Sequence, residues 1–454
     1  MNAVTSSRTA PKGPPPVPFV LHPGRVAGEL SGSPSKSYTH RALLRALLSQ
    51  GGGELLHPLR SEDTLASARV AEVLGLSLDG PEDPASDRWR FHPGNPPGPA
   101  TSRLLLDARE SGTTLRLFSA ASALSGASVQ WQGAGSLAVR PMDPLLDALE
   151  LLGVHVERAA PGRSLPFHLR GPLRAGSVEL PGGTSSQFLS ALLFSLPVLA
   201  GESRIDVLGP QVSEPYVEAT LHALASAGVQ VAKEGTTYHV PGGQRYRAGT
   251  LPIPADASSA AYLFALAALT GGKVRVGPFP EEWPQADLEL LNILRAAGAG
   301  VRREGEDYEV TAGGLPLGGF EADLDRSPDL APLLGVLASF AGEPCELRGG
   351  TQLVHKESDR RAGTEALVAS LGARLERVPT GWRLQGPPKA RRLSLTDLTD
   401  HRMLLSACVA ASALPEPSRL GPASAAAKSY PAFFEHARTL GLTIERTEGR
   451  GVPP

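Results

Sequence analysis

One arrangement of apolar and polar positions recurs along the chain from about residue 67 to residue 444. A helix-period segment rich in Ala and Leu ends at a glycine, and a short alternating segment follows it. Glycine suits this position because it adopts the left-handed conformation that ends a helix without strain. The marker glycines are Gly75, Gly153, Gly228, Gly298, Gly372 and Gly441. Their nearly constant spacing of roughly 70–80 residues predicts six copies of one helix-and-strand unit.

A second set of helices is predicted by longer apolar runs that carry little charge. A composition dominated by Ala and Leu is typical of helices buried inside a domain. The runs are 41–49, 114–124, 188–199, 259–269, 330–340 and 402–414. Interleaved strands, such as 177–180 and 273–276, complete an α/β unit. Six such units divide naturally into two groups of three.

Polar and charged residues stand before nearly all of these buried helices. The first cluster is the segment 32–41, in which Lys36 and Arg41 add positive charge to several hydroxyls. A helix N-terminus has unpaired N–H groups and a partial positive charge, so it favours an anion. A single cluster of this kind is an ordinary helix cap as often as it is an anion-binding site. Similar clusters recur at 107–116, 182–187, 256–259, 325–329 and 397–402. We therefore expect the helix ends to converge on one cleft that binds a multiply anionic ligand between two domains.

The composition narrows the class of protein. A chain of 454 residues exceeds one typical core, and its 44 basic and 46 acidic residues argue against a nucleic-acid partner. Two cysteines, Cys345 and Cys408, exclude a disulfide framework and favour a reducing cytoplasm. No apolar run reaches the ~18–20 residues of a membrane span, so we expect no membrane partner. Residues 1–18 are rich in proline and read as a disordered extension without a secretory signal.

Seven motifs, taken in order, give the chain a family resemblance. They are Ser-Lys-Ser-Tyr-Thr-His-Arg at 35–41, Glu-Ser-Gly-Thr-Thr-Leu-Arg at 110–116, Arg-Pro-Met-Asp-Pro-Leu at 140–145, Ser-Ser-Gln at 185–187, Lys-Glu-Ser-Asp-Arg at 356–360, Asp-His-Arg-Met at 400–403 and Lys-Ser-Tyr-Pro at 428–431. Together with the sixfold repeat, they closely resemble the 3-phosphoshikimate 1-carboxyvinyltransferases, the EPSP synthases of the enolpyruvyl transferase family. The resemblance covers essentially residues 20–440.

The resemblance implies the α/β two-domain enolpyruvyl transferase fold, an inside-out α/β barrel with three βαβαββ repeats in each domain. In this family the chain crosses between the domains twice. We expect residues 19–35 and 256–454 to form one discontinuous domain and residues 36–255 to form the other. The active site would lie in the interdomain cleft, with Lys36 at a hinge that closes over the ligands. Family members are usually monomeric, so we expect a monomer.

The resemblance also implies a reaction. The enolpyruvyl group of phosphoenolpyruvate moves to the 5-hydroxyl of shikimate 3-phosphate by addition and elimination, and phosphate is released. The two substrates carry two phosphates and two carboxylates, so the site needs many cations and helix ends. The hydroxyl must lose a proton and the methylene carbon must gain one, which requires acid and base groups. We expect no cofactor and no metal, and the chain has no CxxC or HExxH spacing.

Carried over residue by residue, the resemblance assigns three groups of side chains. The catalytic residues would be Asp329 as the base for the 5-hydroxyl, Glu357 as the proposed proton donor, and Lys36. The shikimate 3-phosphate site would consist of Lys36, Ser37, Arg41, Ser185, Ser186, Gln187, Ser213, Tyr216, Asp329, Gln352 and Lys356. The phosphoenolpyruvate site would consist of Lys36, Gly112, Arg140, Gln187, Arg360, Arg402 and Lys428.

Some positions depart from the common pattern of the family, and two alternatives remain. Glu110 and Gln352 stand where many members have Asn, and Leu117 stands where Pro is common, which leaves glyphosate sensitivity open. The sister enzyme that uses UDP-N-acetylglucosamine is one alternative, although its usual Cys is here Gly135. A non-catalytic anion-binding homologue is the other, although none of the expected acidic and basic residues is missing.

Overall fold

The computed structural model describes residues 17–94 and 103–446. The predicted Pro-rich tail therefore lies outside the described residues except for its last two. The described chain contains the helices α1 (Lys36–Leu48), α2 (Glu62–Val73), α3 (Gly112–Ser122), α4 (Asp143–Leu151), α5 (Ser186–Ser195), α6 (Glu214–Ser226), α7 (Ala257–Thr270), α8 (Glu289–Ala296), α9 (Ala331–Ser339), α10 (Arg360–Leu371), α11 (His401–Ser412) and α12 (Phe433–Thr439). None of them is both long enough and apolar enough to cross a membrane.

The strands of the described chain are short. They are β1 (Phe19–Leu21), β2 (Ala27–Ser31), β3 (Gly53–Leu56), β4 (Leu76–Asp79), β5 (Arg88–Pro93), β6 (Leu104–Asp107), β7 (Ser128–Gln132), β8 (His155–Glu157), β9 (Phe167–Arg170), β10 (Ser177–Pro181), β11 (Ser203–Leu208), β12 (Ala232–Glu234), β13 (Thr237–Val240), β14 (Thr250–Pro252), β15 (Lys273–Gly277), β16 (Gly300–Glu304), β17 (Asp307–Thr311), β18 (Glu321–Asp323), β19 (Cys345–Arg348), β20 (Arg374–Val378), β21 (Gly381–Gln385), β22 (Ser394–Leu395), β23 (Ser418–Leu420) and β24 (Ile444–Arg446).

These strands form four-stranded sheets that share one pattern. In the sheet β6-β7-β9-β8, the first pair is parallel and the other two pairs are antiparallel. A parallel pair needs a crossover connection, which a buried helix supplies, whereas an antiparallel pair can close as a hairpin. The pattern repeats in β10-β11-β13-β12, β18-β19-β21-β20, β2-β15-β17-β16, β14-β3-β5-β4 and β22-β23-β1-β24. The predicted sixfold repeat is confirmed.

Each marker glycine lies between an outer helix and a strand, and each has a φ angle between 72° and 108°. This is the left-handed region in which glycine is favoured. One strand differs from its expected place, because the apolar residues after Gly228 do not join the sheet. The backbone of Gln230 bonds instead to the side chain of Gln244, whose Oε1 accepts from Gln230 N at 2.7 Å and whose Nε2 donates to Gln230 O at 2.9 Å, and β12 begins only at Ala232.

The chain exchanges strands where it passes between the two groups of units. Strand β2 leads into α1 but pairs with β15, and β14 leads into α7 but pairs with β3. The two connections run side by side, since Ser35 N donates to Pro254 O at 2.8 Å and Asp256 N donates to Ser33 O at 2.7 Å. This exchange places the N-termini of α1 and α7 next to each other.

Two hydrophobic clusters form the interior. One draws its buried residues from positions 38–253, and the other from positions 19–26 and 255–442. On this basis we propose that the domain boundaries fall at the two connections, 35/36 and 255/256. Helices α1, α3 and α5 run through the first cluster, and α7, α9 and α11 run through the second.

The buried helices lie where the apolar runs predict them, but several begin earlier. Helix α1 begins at Lys36 instead of residue 41, because Ser35 accepts a hydrogen bond from Tyr38 N and caps the helix. Comparable caps are provided by Ser111, Ser185, Asp256 and Asp400. The first turn of such a helix is polar, so an apolar pattern does not detect it.

Candidate functional site

One cavity lies between the two hydrophobic clusters, where the first turns of the buried helices meet. It encloses about 1180 Å³, its open mouth included. Each buried helix, or the turn before it, contributes to the wall. These contributions include Lys36 and Ser37, Thr113 and Arg116, Ser186 and Gln187, Ser258 and Ser259, Asp329, and His401 and Arg402. Converging helix ends add partial positive charge to that of the Lys and Arg side chains, which favours anionic ligands.

All but three of the candidate residues line this cavity: Lys36, Ser37, Arg41, Arg140, Ser185, Ser186, Gln187, Ser213, Tyr216, Asp329, Gln352, Lys356, Glu357 and Arg402. The three exceptions lie directly behind this wall or at its edge. Arg360 is buried and bonded to residues of the wall, Gly112 packs against the guanidinium of Arg140, and Lys428 pairs with Glu110.

Asp329 is held by three cations. Its carboxylate accepts from Arg402 Nη2 at 2.7 Å and from Arg360 Nη1 at 2.9 Å, and Lys356 Nζ lies 3.6 Å away. Burial alone would raise the pKa of Asp329, but Arg402, Lys356 and Arg360 together hold that pKa well below its ordinary value. In the absence of a ligand, Asp329 is therefore a paired carboxylate and a weak base.

Glu357 is also an ionised carboxylate. It pairs with Arg360 Nη2 and lies 3.8 Å from Arg140 Nη1. Burial opposes ionisation, but Arg360 and Arg140 outweigh it and hold the pKa of Glu357 well below its ordinary value. Lys356 behaves differently, because burial lowers its pKa against the opposing effect of Asp329. Glu357 therefore carries no proton, whereas Lys356 carries one that its lowered pKa makes easier to release.

Asp400 holds the side chain of Arg360 in place. Arg360 Nε donates to Asp400 Oδ2 at 3.0 Å, and the same carboxylate caps α11 by accepting from Arg402 N at 2.8 Å. Asp400 thus orients the Arg360 side chain by a direct hydrogen bond, and it orients Arg402 by capping the helix to which Arg402 belongs. The guanidinium groups of Arg360 and Arg402 both point at Asp329, so together they can hold a carboxylate.

Lys36 follows the first of the two connections at which strands are exchanged, and it is held by a residue of the second connection. Its backbone N–H donates to Asp256 Oδ2 at 3.2 Å, while Oδ1 of the same carboxylate accepts from Ser259 N at 2.7 Å. Asp256 therefore caps both α1 and α7. The Lys36 ammonium pairs with Asp63 at the first turn of α2.

The opposite side of the cavity presents hydroxyls and amides. Ser185, Ser186 and Ser213 lie at the N-termini of α5 and α6. Ser213 has a φ angle of 58°, and its N–H donates across the cleft to Asp325 O at 2.6 Å. Arg41 makes three internal bonds, to Ser37 O, Thr220 Oγ1 and Tyr216 O. This side therefore combines hydroxyl donors with a buried cation, a combination suited to a phosphate and a ring carrying hydroxyls.

Gln187 is held in place by two neighbours on α3. Its amide oxygen accepts from Arg116 Nη1 at 3.1 Å, and its amide nitrogen donates to Thr113 Oγ1 at 3.0 Å. Arg116 also donates to Pro141 O at 3.1 Å and lies over the ring of Phe188. The amide is thus fixed in the middle of the cavity.

Several residues of the site escaped the sequence reasoning. Asp63 is an acidic residue in the first turn of α2, a common place for a carboxylate, so the sequence gives no sign that it pairs with Lys36. Asp287 is buried and accepts from Tyr216 Oη at 3.4 Å and from Ser258 Oγ. His401, whose role the sequence left open, lines the cavity, and burial lowers its pKa to about 3, so its ring is neutral.

Some of the buried polar atoms without a hydrogen-bond partner belong to the wall of this cavity. Within the described chain, residues of its wall contribute His40 Nε2, Arg116 Nε, Tyr262 Oη, Gln352 Oε1 and His401 Nδ1. Buried polar groups are normally satisfied, so such atoms indicate a place that a ligand or water completes. Across residues 17–94 and 103–446, no group of three or more His, Cys, Asp or Glu side chains could hold a metal ion.

The chain is similar to known proteins over nearly its whole length. The sequence profile of the EPSP synthase (3-phosphoshikimate 1-carboxyvinyltransferase) family matches residues 20–437. A 3-phosphoshikimate 1-carboxyvinyltransferase of Methanocorpusculum labreanum is 35% identical over 427 residues, which cover 94% of this chain and 99% of the relative. The enzyme of that name from Methanothrix thermoacetophila is 36% identical over 420 residues, covering 92% of this chain and 97% of the relative.

Solved structures share the fold. An EPSP synthase from Acinetobacter baumannii has a TM-score of 0.76 at 24% identity, covering 95% of this chain and 100% of its own. The enolpyruvyl transferase NikO from Streptomyces tendae has a TM-score of 0.74 at 17% identity, covering 96% of this chain and 100% of its own. The predicted α/β enolpyruvyl transferase fold is confirmed.

Proposed function

The chain belongs to the EPSP synthase family, and from this premise we propose that it transfers the enolpyruvyl group of phosphoenolpyruvate to the 5-hydroxyl of shikimate 3-phosphate. It is therefore a transferase of the shikimate pathway. The observation that carries the proposal is Asp329, a carboxylate held between two arginines and a lysine at the meeting point of both groups of helices. A base, a carboxylate-binding pair of arginines and several hydroxyl donors lie around one cavity, as this reaction requires.

Phosphoenolpyruvate would occupy the side of the cavity that carries most of the cations. Its carboxylate would bind Arg360 and Arg402, which in the free protein donate to Asp329. Its phosphate would be held by Lys36, Arg140, Lys428 and the amide of Gln187. Because the substrate carboxylate would take over both arginines, binding would release Asp329 from its ion pairs and raise the pKa of that carboxyl. The substrate would thereby activate the base.

Shikimate 3-phosphate would occupy the side lined by hydroxyls. Ser185, Ser186 and Ser213 would hold the 3-phosphate. Arg41 would contribute its charge, and Tyr216, Gln352 and Lys356 would contact the ring and its substituents. The 5-hydroxyl would then face Asp329, which also lines the cavity.

The chemistry would proceed in two steps. In the addition, the 5-oxygen bonds to C2 of phosphoenolpyruvate, Asp329 takes the hydroxyl proton, and the methylene carbon gains a proton to become a methyl group. In the elimination, the bond from C2 to the phosphate oxygen breaks, the methyl group loses a proton, and phosphate leaves. Lys36 would stabilise the negative charge on the phosphate during both steps.

Glu357 would protonate the methylene carbon only after its own pairing has changed. In the free protein Arg360 and Arg140 keep it ionised. Binding of an anionic substrate to these arginines would weaken that effect and favour the protonated form. Lys356, which carries a proton and whose pKa burial lowers, is the second group able to deliver it.

We also propose that the enzyme acts as a cytoplasmic monomer. The resemblance supports a monomer, because members of the family are usually monomeric and the candidate residues of the site all lie within this sequence. Cys345 and Cys408 are both free and buried, as expected for a protein of a reducing compartment. Sedimentation equilibrium would measure the oligomeric state, and a stable dimer would refute the monomer.

The test is phosphate release from phosphoenolpyruvate with either shikimate 3-phosphate or UDP-N-acetylglucosamine as the acceptor. Release with shikimate 3-phosphate alone is the expected result. Release with the UDP-sugar alone would favour the sister enzyme, and release with neither would favour a non-catalytic binding protein. Gly135 supports the first outcome, because its φ is 60° and an added Cβ would lie 2.9 Å from Glu110. A cysteine at this position would be strained.

A further inference from the structure

Tyr262 lies in the second turn of α7 and lines the cavity, although no motif drew attention to it. Its side chain is only 3% exposed, and its ring packs edge-on against Phe433 with the centroids 6.4 Å apart. The ring position is therefore fixed. The hydroxyl at its end, Oη, is buried and has no hydrogen-bond partner in the described part of the chain.

The other tyrosines of the cavity wall are satisfied. Tyr216 Oη donates to Asp287 at 3.4 Å, and Tyr430 Oη lies 2.8 Å from His436 Nδ1. A buried hydroxyl without a partner costs free energy, so a protein normally provides a partner or uses phenylalanine. Tyr262 keeps its hydroxyl in a wall where an apolar ring would pack equally well.

The elements packed against α7 show which part of the cavity Tyr262 lines. Helix α7 packs against α11, whose first turn carries Arg402, and against the turn that carries Asp329. After burial, the groups that act on the pKa of Tyr262 are Arg402, Arg360, Asp400 and Asp329. These are the two arginines of the carboxylate-binding pair and the two carboxylates bonded to them. Burial raises the pKa of Tyr262 to about 12, so the hydroxyl keeps its proton and can donate.

We propose that Tyr262 is a further substrate-binding residue, whose Oη–H donates to a carboxylate oxygen of the ligand held by Arg360 and Arg402. The inference rests on the proposed function, in which that ligand is phosphoenolpyruvate. Two arginines fix a carboxylate in one plane, and a third donor from α7 fixes its position along the cavity. In the free enzyme the unpaired hydroxyl costs free energy, and the bound ligand supplies the missing hydrogen-bond partner.

The test compares two matched substitutions, Tyr262→Phe and Tyr430→Phe, each of which removes one hydroxyl from the same cavity wall. For Tyr262→Phe we expect the KM for phosphoenolpyruvate to rise about tenfold, the KM for shikimate 3-phosphate to stay within twofold, and the ligand-free Tm to be unchanged or higher. For Tyr430→Phe we expect the opposite pattern, a lower Tm and an unchanged KM for phosphoenolpyruvate, because that hydroxyl has an internal partner.

An unchanged KM for phosphoenolpyruvate in Tyr262→Phe would overturn the proposal, and so would equal rises of both KM values. A lower ligand-free Tm without a change in KM would give the hydroxyl a structural role instead. The increase in Tm that phosphoenolpyruvate causes is measured in parallel. A smaller increase in Tyr262→Phe than in the parent protein supports the contact even if the acceptor is not shikimate 3-phosphate, and an equal increase refutes it. The parent protein's acceptor preference tests the proposed function separately.

Discussion

Arg402 donates from Nη2 to Asp329 Oδ2 at 2.7 Å, so the residue proposed to bind the carboxylate of phosphoenolpyruvate holds the residue proposed as the base. Arg360 repeats the relationship at 2.9 Å. In the free enzyme the Asp329 carboxylate accepts from the two guanidinium groups that we propose bind the substrate carboxylate. Binding of one substrate and activation toward the other therefore depend on the same two ion pairs.

Lys36→Met should reduce turnover by at least about a hundredfold, because it removes a cation of the cavity wall that we propose contacts both substrates. It should also lower stability, since Asp63 loses its partner while buried. Steady-state kinetics and urea unfolding measure the two effects. The matched control is the double variant Lys36→Met/Asp63→Asn, which should recover stability but not turnover. Turnover at the parent rate in either variant would remove Lys36 from the mechanism.

Gly112→Ala should weaken the binding of phosphoenolpyruvate through Arg140. The added Cβ would lie 2.6 Å from Arg140 Nη1, so the guanidinium must move while the backbone stays. The loss of one charge-assisted contact should raise the KM for phosphoenolpyruvate about tenfold and leave that for shikimate 3-phosphate within twofold. Gly183→Ala is the control, because its added methyl group meets no atom within 4 Å. Equal KM values in the two variants would contradict this account.

Glu110→Gln should lower the KM for phosphoenolpyruvate. Glu110 Oε2 accepts from Lys428 Nζ at 2.5 Å, so in the proposed function it would compete with the substrate phosphate for that cation. Glu110 is 46% exposed, so we expect a decrease of only about two- to threefold. Glu82→Gln removes a charge outside the cavity and should have no effect. A higher KM in Glu110→Gln would mean that Glu110 positions Lys428 for the substrate.

Asp287→Asn should change how stability depends on pH. Burial raises the pKa of Asp287 from 3.8 to about 6, against the opposing effect of Arg402. The folded protein therefore binds this proton more tightly than the unfolded chain does. The carboxyl stabilises the fold below about pH 4, and this contribution is lost as the pH rises through about 6.

The Asn side chain has no such dependence. The variant's stability relative to the parent protein should thus increase between pH 4 and pH 7, by up to about 3 kcal/mol. Urea unfolding at pH 4.5 and pH 7.5 measures this difference. A difference that is the same at both pH values would show that Asp287 has no raised pKa in the folded protein.

Local pattern was sufficient to predict the repeat and the buried helices. Glycines such as Gly153 and Gly372 can be recognised in the sequence because each ends a helix. The apolar run of α11 predicts a buried helix without information about the residues that pack against it. The exchange of β2 and β14 was not readable from local pattern, since β14 pairs with β3 almost 200 residues earlier in the chain. Pairing across such a distance depends on the whole fold.

The same limit applies to the site. The resemblance assigned roles to Asp329 and Arg360 as separate residues, but it did not predict the ion pair between them, which joins the turn before α9 to the first residue of α10. In the sequence Asp63 looks like an ordinary acidic residue of a first helical turn and Asp256 like a helix cap, and the structure places both as such. Only the structure shows that one also pairs with Lys36 and that the other caps two helices at once. Tyr262 lies in an apolar helix, where nothing in the pattern separates it from a core residue.

The central claim is that Asp329 accepts the proton of the 5-hydroxyl. The most direct measurement is a single-turnover experiment with Asp329→Asn, in which excess enzyme is mixed with shikimate 3-phosphate and phosphoenolpyruvate and product formation is followed. We predict that shikimate 3-phosphate binding stays detectable by calorimetry, while the rate of product formation falls about 10²- to 10⁴-fold. A rate close to that of the parent protein would contradict the account and assign the base to another residue of the cavity.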